Sequence, residues 1–181
     1  CRISATVQEF SQYHFLLRET IGVGNIKEIN NDNKLLLAAE RGGSEQIVHS
    51  LSMGLDTQLG ANFPSGHELS TGQWQRLAIT RTNMPQHPLL LLLDEPGSSL
   101  DPVAEHDILE KIRVTSQEHQ SNGCIVIIVS HRLESVRLAD HIIVMDDGHV
   151  VEQGTHEELL VANGSYAELL RLKLELQGES E

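Results

Sequence analysis

Two short, unbroken apolar runs, Leu89–Leu93 and Ile125–Val129, constrain this chain more than any other feature. Each has strand length, is rich in Leu, Ile and Val, and lacks the alternation of a half-exposed strand. That pattern predicts strands covered on both faces, as in a parallel α/β sheet. A third run, Ile142–Met145, leads through Asp146-Asp147-Gly148 into Val150-Val151, and Asp-Gly between apolar runs predicts a hairpin. Ile3–Val7 reads as an opening strand. Helical segments lie between these runs. Asn33–Arg41 and Ser44–Leu51 form a short pair broken by Gly42-Gly43, and Thr71–Asn83 is a third. Asp101 followed by Pro102 starts another, with Ile108, Leu109 and Ile112 as its buried stripe. Thr155 with Glu158, and Ser165 with Glu168, have the spacing of capping boxes that open two closing helices. Residues 177–181 are expected to fray. Strands alternating with helices predict an α/β fold with a mostly parallel sheet, in which ligands sit at the carboxyl ends of the strands.

A length of 181 residues suits one domain. Lys and Arg total 13 against 26 Asp and Glu, a formal charge of −13, which argues against a phosphate-backbone binder that works by a broad basic face. It leaves room for one nucleotide, whose phosphates backbone N–H groups and a metal ion can offset locally. No apolar run approaches the ~18–20 residues that cross a bilayer, and no basic-then-apolar leader is present. Two cysteines, Cys1 and Cys124, suggest neither a disulfide framework nor a metal cluster. The chain starts with Cys1 and not Met, and so reads as a piece of something longer.

The candidate chemistry lies at the strand ends. Leu89–Leu93 runs into Asp94-Glu95-Pro96, and two adjacent carboxylates at a strand end suit Mg²⁺-nucleotide chemistry. One can hold the metal while its neighbour orients or deprotonates a water. The same residues also fit a buried strand that simply surfaces and turns at a proline. Ile125–Val129 ends in Ser130-His131, so a second parallel strand brings an imidazole to the same rim, to contact a terminal phosphate or hold a water. Ser70-Thr71-Gly72-Gln73 opens the helix that contains Trp74 and Leu77, with Ser-x-x-Gln capping spacing and a glycine that permits close backbone approach. A helix start of that kind is an anion site, or simply a well-capped helix.

Taken together, Leu-Ser-Thr-Gly-Gln-x-Gln-Arg, then the leucine run into Asp-Glu-Pro, then Ser99-Leu100-Asp101, then Ser130-His131-Arg132, the chain resembles the ATP-binding-cassette (ABC) ATPase domain. The resemblance spans Gln8 to the last helices. It implies a P-loop NTPase-like, mostly parallel sheet with a helical signature subdomain, incomplete at the amino terminus. Residues 1–15 would be the Q-loop region, 16–84 the helical subdomain and 85–181 the remaining core with the closing helices. It further implies that Asp94 is the metal-associated carboxylate and that Glu95 is the catalytic carboxylate acting on water. Ser70, Thr71, Gly72 and Gln73 would be the signature that contacts the γ-phosphate of ATP bound mainly by the opposite subunit. Asp101 matches the D-loop aspartate and His131 the switch histidine. Gln8 matches the Q-loop glutamine, at the metal and in the catalytic set. The implied cofactors are ATP and Mg²⁺. The implied partners are a second nucleotide-binding domain and a membrane domain fused upstream, with the ATPase on the cytoplasmic side and no nucleic acid.

Tyr13–Asn25 and the close Val150–Leu160 resemble exporter-type half transporters. Gly22-Val23-Gly24 is no dinucleotide fingerprint, because Lys27 stands where a third glycine is needed. Three departures stand out. No Gly-x-x-x-x-Gly-Lys-Ser/Thr loop is present in the 181 residues. Thr71 replaces the first glycine of the signature. Ala61–Glu68 departs from the usual charged stretch before the exporter signature. The alternative function is a non-catalytic fragment that acts only through a partner domain. A soluble ABC ATPase of DNA repair or translation is disfavoured by the acidic charge, the lack of a coiled-coil insert and the exporter-like close.

Overall fold

Parallel pairing of three apolar runs builds the sheet from which the candidate residues extend. In the structure, a computed structural model, residues 2–85 and 87–178 are described. Strands β1 (Ile3–Thr6), β2 (Leu90–Asp94) and β3 (Ile125–Val129) lie in the order β1-β2-β3, all parallel. Thr6 pairs with Leu93, and Asp94 with Val129, so the carboxyl ends of the three strands share one rim.

Five α-helices are described in the first unit, which extends to Val129. They are α1 (Leu17–Gly22), α2 (Asp32–Arg41), α3 (Glu45–Ser50), α4 (Thr71–Thr82) and α5 (Pro102–Gln120). Their starts follow the local signals. Asn31 caps α2 by accepting from the Lys34 N–H, and Asp101 caps α5 by accepting from the N–H groups of Val103 and Ala104, with Pro102 in the first turn.

The core has two parts. Leu17, Ile21, Leu35, Ile47, Leu59, Trp74 and Leu77 fill the interior of the helical segment, while Ile79, Leu91, Leu93, Ile108, Ile112 and Cys124 join α4 and α5 to the sheet. Helix α4 belongs to both, and the Thr6 hydroxyl donates to the Ala78 carbonyl (2.9 Å), tying β1 to it. On the sheet's core face, Val126 and Ile128 of β3 pack beside Leu91 and Leu93. The opposite face carries Ile125, Ile127 and Val129, which are 64%, 45% and 49% exposed. The expectation of strands covered on both faces is therefore corrected for β3. Within the first unit, helices pack against one side of it.

The second unit, from Ser130 onward, contains α6 (Leu133–Val136), β4 (Ile142–Asp146), β5 (His149–Gly154), α7 (His156–Ala162) and α8 (Ser165–Gly178). Strands β4 and β5 form the expected antiparallel hairpin. Asp147 (φ 48°) and Gly148 (φ 77°) are both left-handed, which a two-residue hairpin turn matching the strand twist requires. The Thr155–Glu158 capping box forms at α7. At α8 the structure differs from the expected Ser165–Glu168 box. Ser165 is already helical, and the Glu152 carboxylate on β5 accepts from the N–H groups of Ser165 (2.6 Å) and Tyr166 (3.0 Å). A residue distant in sequence has supplied the acceptor that local spacing assigned to Ser165. The α8 helix continues through residues 177 and 178, against the fraying expected there, and 179–181 lie outside the described residues. Among the described residues no helix is long and apolar enough to cross a membrane.

One buried group gives the fold an acid-sensitive point. His119, near the end of α5, is 3% exposed, and burial holds its imidazole pKa below the usual 6.5, with Arg41 adding to the effect. The unfolded chain takes up this proton near 6.5, and the folded chain does so only at lower pH. This group's stabilisation is thus present above 6.5 and is lost as pH falls below it. Urea midpoints at pH 7.5 and 5.5 should converge in His119→Gln relative to the parent. An unchanged pH dependence would show that another group sets it.

Candidate functional site

Asp94 ends β2 and Glu95 begins the turn that follows, both half-buried. Glu95 adopts φ +49°, the left-handed region that non-glycine residues seldom occupy, at a cost of order 1–3 kcal/mol. Hydrogen bonds on both sides hold it there. The Glu95 N–H donates to the Val129 carbonyl (2.9 Å), and the Glu95 carbonyl accepts from the Gln75 side chain (2.9 Å) and the Ser98 N–H (3.2 Å). The strand end is thus a fixed platform for two adjacent carboxylates.

Helix α4 starts at Ser70, whose hydroxyl accepts from the Gln73 N–H (3.3 Å) while the Gln73 amide oxygen accepts from the Ser70 N–H (2.9 Å). This capping box uses two of the helix's first N–H groups. Those of Thr71 and Gly72 have no intrahelical partner, by the geometry of a helix start. Thr71 takes the first helical position with its side chain exposed. Gly72 is needed for a reason the sequence did not reveal. A Cβ there would stand 3.1 Å from both the Ser99 carbonyl oxygen and Leu100 Cδ2, so the missing side chain lets α4 approach the loop after the acid pair. That loop ends at Asp101, whose carboxylate caps α5.

Two polar residues to which the sequence alone assigned no role hold these parts together. Gln75, 2% exposed, bonds to Glu95, Ser98 and Ser99. Its signal was available: a polar side chain between Trp74 and Leu77 on a buried stretch of helix must have partners. Arg81 places its guanidinium 4.6 Å from the centroid of the Tyr13 ring and donates to the carbonyls of Ser11 (2.9 Å) and Thr20 (3.0 Å). Burial pushes its pKa down to about 10, against the pull of the Tyr13 hydroxyl, so it stays charged at neutral pH. It anchors the segment that follows Gln8 to the far end of α4.

Gln8 lies exposed two residues beyond β1, on the rim of the first unit that also carries Asp94 and Glu95. The first unit brings Asp94, Glu95, Ser70–Gln73 and the loop to Asp101 into one bonded cluster around α4. His131 is exposed and lies two residues beyond β3, at the start of the second unit.

Asp94 and Glu95 offer the hard carboxylate oxygens that magnesium takes. Among the described residues no group of three or more His, Cys, Asp or Glu side chains is arranged to hold a metal. Magnesium commonly uses one or two carboxylates and completes its shell with water and substrate phosphates. Two adjacent carboxylates at a strand end are donors of that kind.

Comparison with known proteins identifies the family. A sequence model described as ABC transporter matches residues 2–98. The chain is 40% identical over 159 residues to the subtilin transport ATP-binding protein SpaT of Bacillus subtilis, covering 88% of this chain and 25% of that protein. It is 37% identical over 167 residues to the nisin transport ATP-binding protein NisT of Lactococcus lactis, covering 92% and 27%. Among solved structures, a bacterial Atm1-family ABC exporter with ATP bound matches at a TM-score of 0.80 and 30% identity, over 95% of this chain and 28% of that one. The chain thus spans about a quarter of the length of the curated relatives it matches.

Proposed function

Since the chain belongs to the ABC transporter family and carries an exporter-type ATP-binding domain, we propose that it is the carboxy-terminal part of the ATPase that powers an ABC exporter. The working site is composite. One domain holds the nucleotide, and the first-turn N–H groups of Thr71 and Gly72 in a second copy or paralogous domain face its γ-phosphate, where a helix start favours negative charge. Asp94 would hold magnesium, directly or through water. That ion, when bound, offsets the charge that develops on the phosphate oxygens. Glu95 orients the attacking water and accepts its proton as the new P–O bond forms and the bond to the β–γ bridging oxygen breaks, leaving ADP and phosphate. Gln8, in the segment leading to the Ser11 carbonyl that Arg81 holds, and Asp101 are the first unit's further contributions, and His131 is assigned the role of switch histidine. The membrane domain is fused upstream, and the ATPase faces the cytoplasm.

The observation that carries this reading is the seating of the signature turn on the loop that follows the acid pair, with Gly72 against Ser99 and Leu100. The first turn of α4 and the two carboxylates thereby share one support. Steady-state ATPase activity of the complete membrane protein in liposomes tests it, and no MgATP turnover above background would overturn it. The 181-residue chain by itself should behave differently. It has no Gly-x-x-x-x-Gly-Lys-Ser/Thr loop to cradle the β- and γ-phosphates. Calorimetric titration with MgATP should therefore show no binding in the micromolar range. A micromolar Kd would contradict the need for that loop.

A further inference from the structure

Gln75 uses its whole side-chain amide in one place. It lies in the second turn of α4, two residues past the signature, and is 2% exposed. Its Nε2 donates to the Glu95 carbonyl (2.9 Å) and to Ser98 Oγ (3.1 Å), and its Oε1 accepts from the Ser99 N–H (2.9 Å). The loop so gripped is also the one pressed against Gly72, and its first residue is Glu95 in a left-handed backbone. Three bonds from one buried amide resist sliding, because any displacement leaves buried polar groups unpaired.

We propose that Gln75 is a positioning residue that couples the signature turn to the Glu95 carboxylate of the same chain. The inference rests on the composite-site reading above and deepens it. In a composite site the signature turn of one domain faces nucleotide held by the other, while Glu95 serves the nucleotide held by its own domain. A phosphate drawn onto the first turn of α4 therefore fixes, through Gln75, the carboxylate at the second site. The amide links two ATP sites through one helix turn.

The test is a kinetic comparison in the complete exporter of Gln75→Leu, which removes all three bonds at similar volume, and Gln75→Glu, which keeps the shape and the acceptor for Ser99 but loses both donated bonds. Glu95→Gln is measured beside them. Misplacing a reacting group by about 1 Å can cost about 100-fold in rate. Both Gln75 variants should accordingly lose about 10- to 100-fold in kcat, with KM for MgATP within about twofold of the parent. That split separates positioning from general loss of structure, which would raise KM and lower the thermal midpoint together. If Gln75→Leu does not fold, Gln75→Glu decides. A folded Gln75→Glu with kcat within about twofold of the parent, or a fall in kcat matched by an equal rise in KM, overturns the coupling. If Glu95→Gln abolishes turnover while Gln75→Glu is normal, the coupling alone fails. If Glu95→Gln itself is normal, the reading of the acid pair fails and the coupling falls with it.

Discussion

Glu95→Gln in the complete exporter should bind MgATP as the parent does and turn it over at least about 100-fold more slowly. Positioned general bases contribute roughly 10²- to 10⁴-fold to rate, and the amide of Gln keeps the size and hydrogen-bonding reach of the carboxylate without its basicity. Gln keeps the backbone N–H and carbonyl whose bonds to Val129, Gln75 and Ser98 hold φ +49° at this residue. Asp94→Asn differs in kind. It acts on the metal-associated carboxylate, so it should weaken magnesium-dependent nucleotide binding as well as turnover. Equilibrium nucleotide binding and single-turnover hydrolysis separate the two. A Glu95→Gln protein with an unaltered steady-state rate would remove the role given to Glu95.

A large loss of stability is expected of Gly42→Ala, at the carboxyl end of α2. A Cβ there would stand 2.3 Å from Thr80 Oγ1, 2.4 Å from Thr80 Cα and 2.7 Å from the Thr80 backbone nitrogen. Two of these contacts are with backbone of α4, which cannot swing aside as a flexible side-chain tip can. Nor can Thr80 turn freely, since its hydroxyl donates to the Arg76 carbonyl (2.8 Å) and pairs with Ser44 Oγ (2.7 Å). Relief requires α2 to move away from α4, opening the cluster around Leu35, Ala38, Trp74 and Leu77. Overpacking of this kind usually costs 1–3 kcal/mol and more where backbone must shift, so a loss of about 3 kcal/mol or more is expected. Urea unfolding of parent and variant measures it. A midpoint equal to the parent's would mean that α2 and α4 approach less closely than described.

The elements legible in the sequence were those specified locally. Unbroken apolar runs marked β2 and β3, Asp147-Gly148 marked the hairpin turn, and caps such as Asp101-Pro102 and Thr155–Glu158 marked helix starts, because each depends on neighbours within four residues. Features set by tertiary contact were not legible. Glu152 takes over the cap of α8 because the fold of the second unit places its carboxylate there. The apolar residues on the second face of β3 are exposed because, among the described residues, no helix of the first unit lies over them. A left-handed Glu95 has no sequence signal at all, since Gly, Asn and Asp are the residues that advertise positive φ. Within the candidate site the sequence supplied the residue types and their order. It did not supply the bonds of Gln75 and Arg81, whose partners lie 20 to 70 positions away in the chain.

The central claim is that this chain works as one part of an ATP-driven exporter. Peptide mapping by mass spectrometry of the native product, isolated from membranes, tests it most directly. The account predicts that peptides continuous with this sequence and upstream of Cys1 include a Gly-x-x-x-x-Gly-Lys-Ser/Thr loop and membrane-spanning segments. A native product that begins near Cys1 would contradict it, leaving a chain with signature and acid pair but no phosphate cradle of its own.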